Sequence, residues 1–156
     1  MISDNAFADG VRELTDTAFA VAYLILGNSA DCEDAMSEAI LRAYEHRGRL
    51  KKRESFRAWF LRILRNEAYT VLRKRRRIQP VEDLPEEEAP GTDAEGRMDL
   101  QAALAQLGEN QRTALLLQQE GYELAEIGDI LDVPVGTVKS RISRAKQTMR
   151  AILEEE

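Results

Sequence analysis

Four long cations stand within eight residues near the C-terminal end: Lys139, Arg141, Arg144 and Lys146. They lie in VPVGTVKSRISRAK (Val133–Lys146), a stretch without a single acid, and Thr137, Ser140 and Ser143 alternate with them. Arginine and lysine neutralise phosphates or read guanine edges, and a short hydroxyl can do either. Val135, Val138, Ile142, Ala145, Met149 and Ile152 recur at steps of three and four. A helix over these residues therefore turns them to one side and presents Thr137, Lys139, Ser140, Arg141, Ser143, Arg144 and Lys146 on the other. An ordinary wetted helix face mixes charge signs. This one does not, which points to duplex nucleic acid.

A second cluster lies upstream. Arg62, Asn66, Tyr69 and Arg73 follow steps of four, three and four, with Arg65 adjacent. Cations, an amide and an aromatic ring on one strip suit a single nucleic-acid strand, through phosphate attraction and base stacking. Tyr69 reads equally well as a partly buried packing residue. Trp59 falls in the apolar stripe Phe56, Trp59, Phe60, Ile63, Leu64, Val71 and Leu72, and is read as core rather than as a stacking platform. The run RKRRR (Arg73–Arg77) closes the same segment, where basic side chains also favour a helix C-terminus.

These clusters need elements to hold them. Residues 78–98 contain three prolines and a run of acids and are expected to form a linker between modules at 1–77 and 99–156. In the first module the periodicity predicts helices near 5–26, 30–47 and 54–76. Gly27 is expected to end the first, and Asn28 or Ser29 to cap the second. Ala35, Ile40, Leu41 and Tyr44 are expected on its inner side, and Glu54 or Ser55 is expected to open the third helix. In the second module helices are predicted near 99–107, 110–120, 123–131 and 135–153. The last two are joined by only Asp132, Val133 and Pro134, a helix-turn-helix pattern. Gly128, inside the penultimate helix, is expected to admit the last helix closely. The fold class is all-α: two small helical domains.

Charge is segregated along this order. The chain of 156 residues is acidic overall, at −6, yet residues 39–77 carry fourteen bases against three acids, and residues 134–153 carry five bases and none. Such blocks supply the phosphate attraction that dominates nucleic-acid affinity, while the net negative charge weakens indiscriminate binding. Several classes are excluded on the other side. There is no nucleophile–base pair, metal-ligand cluster or glycine-rich phosphate loop, so no catalysis, cofactor or metal is expected. Cys32 is the only cysteine and His46 the only histidine. The apolar run AFAVAYLIL (Ala18–Leu26) is too short to span a bilayer. No membrane insertion is expected, no signal peptide is visible, and a cytoplasmic location follows.

Three stretches in this order, DCEDAMSEAILRAYE, SFRAWFLRILRNEAYTVLRKRRR and LAEIGDILDVPVGTVKSRISRAKQTM, resemble bacterial RNA polymerase sigma factors of the small extracytoplasmic-function (ECF) type. The resemblance spans roughly residues 5–153. It implies a sigma region 2-like bundle followed by a region 4-like helix-turn-helix domain. The partners implied are core RNA polymerase, through the clamp helices of its largest subunit and the flap, and promoter DNA. Asp34 and Glu38 stand at matching acidic positions for the clamp contact, with Ser37 where the family often has Gln. The basic loop Gly48–Ser55, with Lys51, Lys52, Arg53 and Ser55, would capture a base extruded from the duplex. Arg62, Arg65, Asn66, Tyr69 and Arg73 would hold the melted strand of the −10 element. Thr137–Lys146 would read the −35 element as duplex. An anti-sigma factor is implied as the partner that restrains activity. The acidic linker would thread polymerase channels, although a solvated spacer fits equally. Gly128 replaces the usual Ala, and Asp132 the usual Gly of the turn.

Two readings come from other classes. A sigma mimic that titrates an anti-sigma factor would lose the basic faces, and both are present. A stand-alone helix-turn-helix regulator would leave the first module's basic block without a use.

Overall fold

The computed structural model describes residues 1–51, 55–78 and 103–154. Among the described residues there are α-helices and one short 3-10 turn but no strand. No described helix is long and apolar enough to cross a membrane. The chain divides into two compact units, within residues 1–87 and 88–156.

The first unit holds α1 (Asp4–Leu26), α2 (Ser29–Glu45), a 3-10 turn (Arg47–Arg49) and α3 (Phe56–Ile78). Each of the three helices packs on the other two. Their ends follow from local chemistry. Ser3 caps α1 by accepting from the Ala6 N–H, and Gly27 ends it at φ 76°, a left-handed conformation that costs glycine little. Asn28 caps α2 by accepting from the Asp31 N–H at 2.9 Å. Ser55 opens α3, its hydroxyl oxygen accepting from the Ala58 N–H at 3.3 Å. α3 continues through Ile78, the first residue of the expected linker. The rest of the stretch assigned to the linker lies outside the described residues, as do residues 99–102 of the next expected helix.

The face that α2 buries differs from the expected one. Cys32, Ala35, Ala39 and Ala43 are fully buried, whereas Leu41 is 53% exposed and Tyr44 37%. Small side chains let α2 lie close to α1 and α3, so its bulky residues are displaced outward. The larger volume comes from Val21 and Leu26 of α1 and from Phe60, Leu61 and Leu64 of α3. Within α3, Phe56, Trp59, Ile63 and Val71 are only half-buried; Leu61 and Ala68, outside the expected stripe, take the inner positions.

Among the described residues, two ion pairs join α2 to α3. Arg42 Nε meets Glu67 Oε1 at 2.6 Å, joining α2 to α3 and giving the buried Glu67 carboxylate the partner that burial demands. Arg75 Nη1 donates to the Leu26 carbonyl at 2.7 Å and to Asp31 Oδ2 at 3.0 Å. It thereby satisfies a terminal carbonyl of α1 that has no partner in its own helix.

The second unit contains a helical turn at residues 103–105, then α4 (Glu109–Gln119), α5 (Leu124–Leu131) and α6 (Val135–Glu154). Leu117, Ile127, Ile130, Val138, Ile142 and Ala145 form its centre. Glu123 and Glu126 form a reciprocal capping box at the start of α5. The turn into α6 is built on Asp132 at φ 57° and ψ 49°. Asp tolerates this region better than most residues. The N–H groups of Asp132 and Val133 both point to the Gly128 carbonyl, the latter at 3.0 Å. A Cβ at Gly128 would lie 2.8 Å from the Val133 carbonyl oxygen but 3.7 Å from Val138 Cγ2. The glycine therefore makes room chiefly for the backbone of the turn, and less for α6 itself. Val135, expected on the buried side of α6, is 39% exposed because it stands in the first turn.

Candidate nucleic-acid interfaces

In the second unit the buried Val138, Ile142 and Ala145 fix the rotation of α6. That rotation exposes Lys139, Ser140, Ser143, Arg144 and Lys146, and leaves Thr137 and Arg141 half-buried. None of the seven residues singled out in the sequence is fully buried; at about 100° per residue they spread around the solvent side of α6, Thr137, Arg141 and Arg144 toward one flank and Lys139, Ser143 and Lys146 toward the other. Among the described residues, Lys139, Arg141, Arg144 and Lys146 form no ion pair with a carboxylate. A row of cations with hydroxyls between them can take phosphates and base edges together. The α5–turn–α6 geometry presents such a row as one rigid helix.

In the first unit α3 brings its strip together as expected. Arg62, Asn66 and Arg73 are exposed; Arg65 and Tyr69 are half-buried. The last two engage each other: Arg65 Nη2 donates to the Tyr69 hydroxyl at 3.1 Å, and its guanidinium lies 4.9 Å from the ring centroid. This is cation–π range. Tyr69 is thus both a packing residue and a wall of the strip. Arg73 Nη2 donates to Thr70 Oγ1 at 3.1 Å, which holds it along the helix. Lys51 is exposed and Ser55 serves as a helix cap. Lys52 and Arg53 lie outside the described residues.

Not every cation of the first unit is left for a ligand. Arg42 and Arg75 are committed to Glu67 and Asp31. Arg47 folds back on α2: its Nη1 donates to the Tyr44 carbonyl at 2.7 Å and its guanidinium lies 3.9 Å from the Tyr44 ring centroid. The surface cation density is accordingly lower than a count along the chain suggests.

Asp34, Ser37 and Glu38 are exposed together on α2. The sequence reading missed Leu41, which continues this outward line at helical spacing and is exposed despite its size. Its position three residues after Glu38 was the available signal.

Comparison with known proteins adds to this geometry. Residues 11–78 match the family pattern described as Sigma-70 region 2, and residues 97–149 match Sigma-70, region 4. The ECF RNA polymerase sigma factor SigW of Bacillus subtilis is 30% identical, over 97% of this chain and 90% of its own length. The ECF RNA polymerase sigma factor EcfG of Rhodopseudomonas palustris is 34% identical, over 96% of this chain and 86% of its own. Among solved structures, the sigma factor RpoE of Bartonella quintana, determined in complex with the anti-sigma factor NepR, superposes with a TM-score of 0.77. It is 27% identical and the match covers 95% of this chain and 96% of that one. With both sigma regions matched in order, and with relatives alike over nearly their whole lengths, the chain belongs to the ECF RNA polymerase sigma factors.

Proposed function

We propose a division of labour between the two basic faces of this sigma factor. Residues 99–156 take the −35 element as duplex through Thr137, Lys139, Ser140, Arg141, Ser143, Arg144 and Lys146. Residues 1–77 open the −10 element. Arg62, Arg65, Asn66, Tyr69 and Arg73 hold the melted strand, and the loop with Lys51, Lys52, Arg53 and Ser55 captures an extruded base. Asp34, Ser37 and Glu38, continued by the exposed Leu41, meet the clamp helices of core RNA polymerase, and the second unit meets the flap. The linker of 78–98 connects the two. The chain contributes no catalytic group; nucleotide chemistry is the polymerase's. It works in the cytoplasm, and an anti-sigma factor restrains it, as the NepR complex of the Bartonella relative suggests by analogy.

One observation carries this reading. Two outward cationic strips stand on helices whose opposite faces are buried, each in its own compact unit. A rigid strip holds cations at fixed spacing, which recognition requires and a solvated charge run does not give. The test is run-off transcription with core polymerase on a randomised promoter library. Discrete transcripts from a shared pair of spaced motifs are expected. A chain that binds core polymerase or an anti-sigma factor and yields no transcript is a mimic, and the proposal falls.

A further inference from the structure

The start of α1 reaches both ends of the basic loop. Phe7 is buried and stands T-shaped to Tyr44, with centroids 5.5 Å apart at 72°, and to Phe56, 5.8 Å apart at 90°. Tyr44 lies in the last turn of α2, four residues before the loop, and Phe56 directly after it. One turn along, Gly10 meets the face of the same ring: a Cβ there would stand 2.6 Å from Phe56 Cε1 and 2.9 Å from Cδ1. One turn back, Asp4 Oδ1 accepts from the Tyr44 hydroxyl at 3.1 Å and lies 3.9 Å from Arg47 Nε. Phe56 is also stacked with Phe60, at 6.1 Å and 12°.

We propose that Asp4, Phe7 and Gly10 are positioning residues for promoter opening: they form a seat that fixes the distance and angle between the two ends of the base-capturing loop. This rests on the role given to that loop above. Burial alone accounts for Phe7 but not for the other two. Asp4 is exposed, yet its carboxylate is aimed at the pair Tyr44–Arg47 that closes α2. Gly10 sits within a 23-residue helix, where glycine is less favourable than alanine, and the ring of Phe56 occupies the space a side chain would take. A pocket for a single base must be held to within about 0.5 Å, and loops alone do so less well than helices. The seat anchors the ends of the loop to three helices.

The experiment uses the full chain reconstituted with core polymerase on a cognate promoter and on promoters with each −10 base changed in turn. Opening is read from permanganate reactivity of the −10 thymines, and −35 duplex binding is measured beside it. Tyr44→Phe keeps the ring and removes the hydroxyl; opening of the cognate promoter should fall about fivefold, the scale of one lost hydrogen bond. Gly10→Ala should lower it about tenfold by displacing Phe56. In both, preference for the cognate −10 base over its substitutes should shrink by the same factor with −35 binding unchanged, while thermal melting of Tyr44→Phe falls by only a few degrees, the scale of the same lost hydrogen bond. Equal loss at every −10 sequence would mark a merely structural role and overturn the proposal. So would unchanged opening by both variants while Lys51→Ala impairs it. If Lys51→Ala also leaves opening and base preference intact, the loop does not capture a base, and the inference falls with that assignment.

Discussion

Arg75 and Arg141 carry the same charge in different surroundings. The guanidinium of Arg75 is mostly buried between the Leu26 carbonyl and Asp31, and Asn28 Nδ2 shares the same Asp31 oxygen at 2.9 Å. Removing it leaves a carbonyl and a carboxylate without their strongest donor. Arg75→Ala is expected to destabilise the first unit by about 2–3 kcal/mol. For a unit of this size that lowers the melting temperature by roughly 10 °C or more. Among the described residues Arg141 has no such ion-pair partner. Arg141→Ala should leave melting unchanged and weaken use of the −35 element by about 1–3 kcal/mol, the scale of a base contact. Thermal melts of the chain beside promoter-binding titrations of the holoenzyme check both. A melting loss for Arg141→Ala as large as that for Arg75→Ala would remove α6 from the DNA interface.

The helix-turn-helix shows how an element can depend on one missing side chain. By intrinsic propensity Gly128→Ala should gain about 1 kcal/mol in α5. The Val133 carbonyl stands where the new methyl group would go, and that oxygen belongs to backbone held by the Asp132 turn. The turn must therefore shift, and a net loss of about 1–2 kcal/mol is expected, of the size found for overpacking. Denaturant unfolding followed in the full chain measures it; a gain in stability would show the turn to be compliant. The elements themselves were legible in the sequence. Gly27, Asn28 and the short Asp132–Pro134 turn mark boundaries that the structure keeps. The rotation of α6 was legible too, because its large apolar residues fall on one side. α2 was misread because size was taken as the guide to the core. Its alanines are inside and Leu41 and Tyr44 are outside, since close helix approach selects small residues. The reach of Asp4 and Phe7 to the loop ends was not legible. It depends on how α1 crosses the others, which no local spacing encodes.

At the scale of the whole chain, the balance of charge bears on the role proposed for the basic faces. Two cationic blocks are interleaved with acidic segments, and the total is −6. Long-range repulsion from that total opposes the approach of any polyanion, while the strips attract it at short range. The free chain should consequently bind non-specific duplex weakly, and the polymerase must supply further contacts before the strips engage. Glu86, Glu87 and Glu88 contribute half of this net value without belonging to either strip. Replacing the three with glutamine should strengthen non-specific binding by the free chain at low ionic strength, where the screening length is about 30 Å at 0.01 M salt. The gain should vanish near 1 M, where it is about 3 Å. Fluorescence anisotropy of a labelled duplex across that salt range gives the comparison. Equal affinities for the parent and substituted chains at low salt would mean that the acidic segments do not guard the basic faces. The weak binding of the free chain would then have to come from the strips themselves.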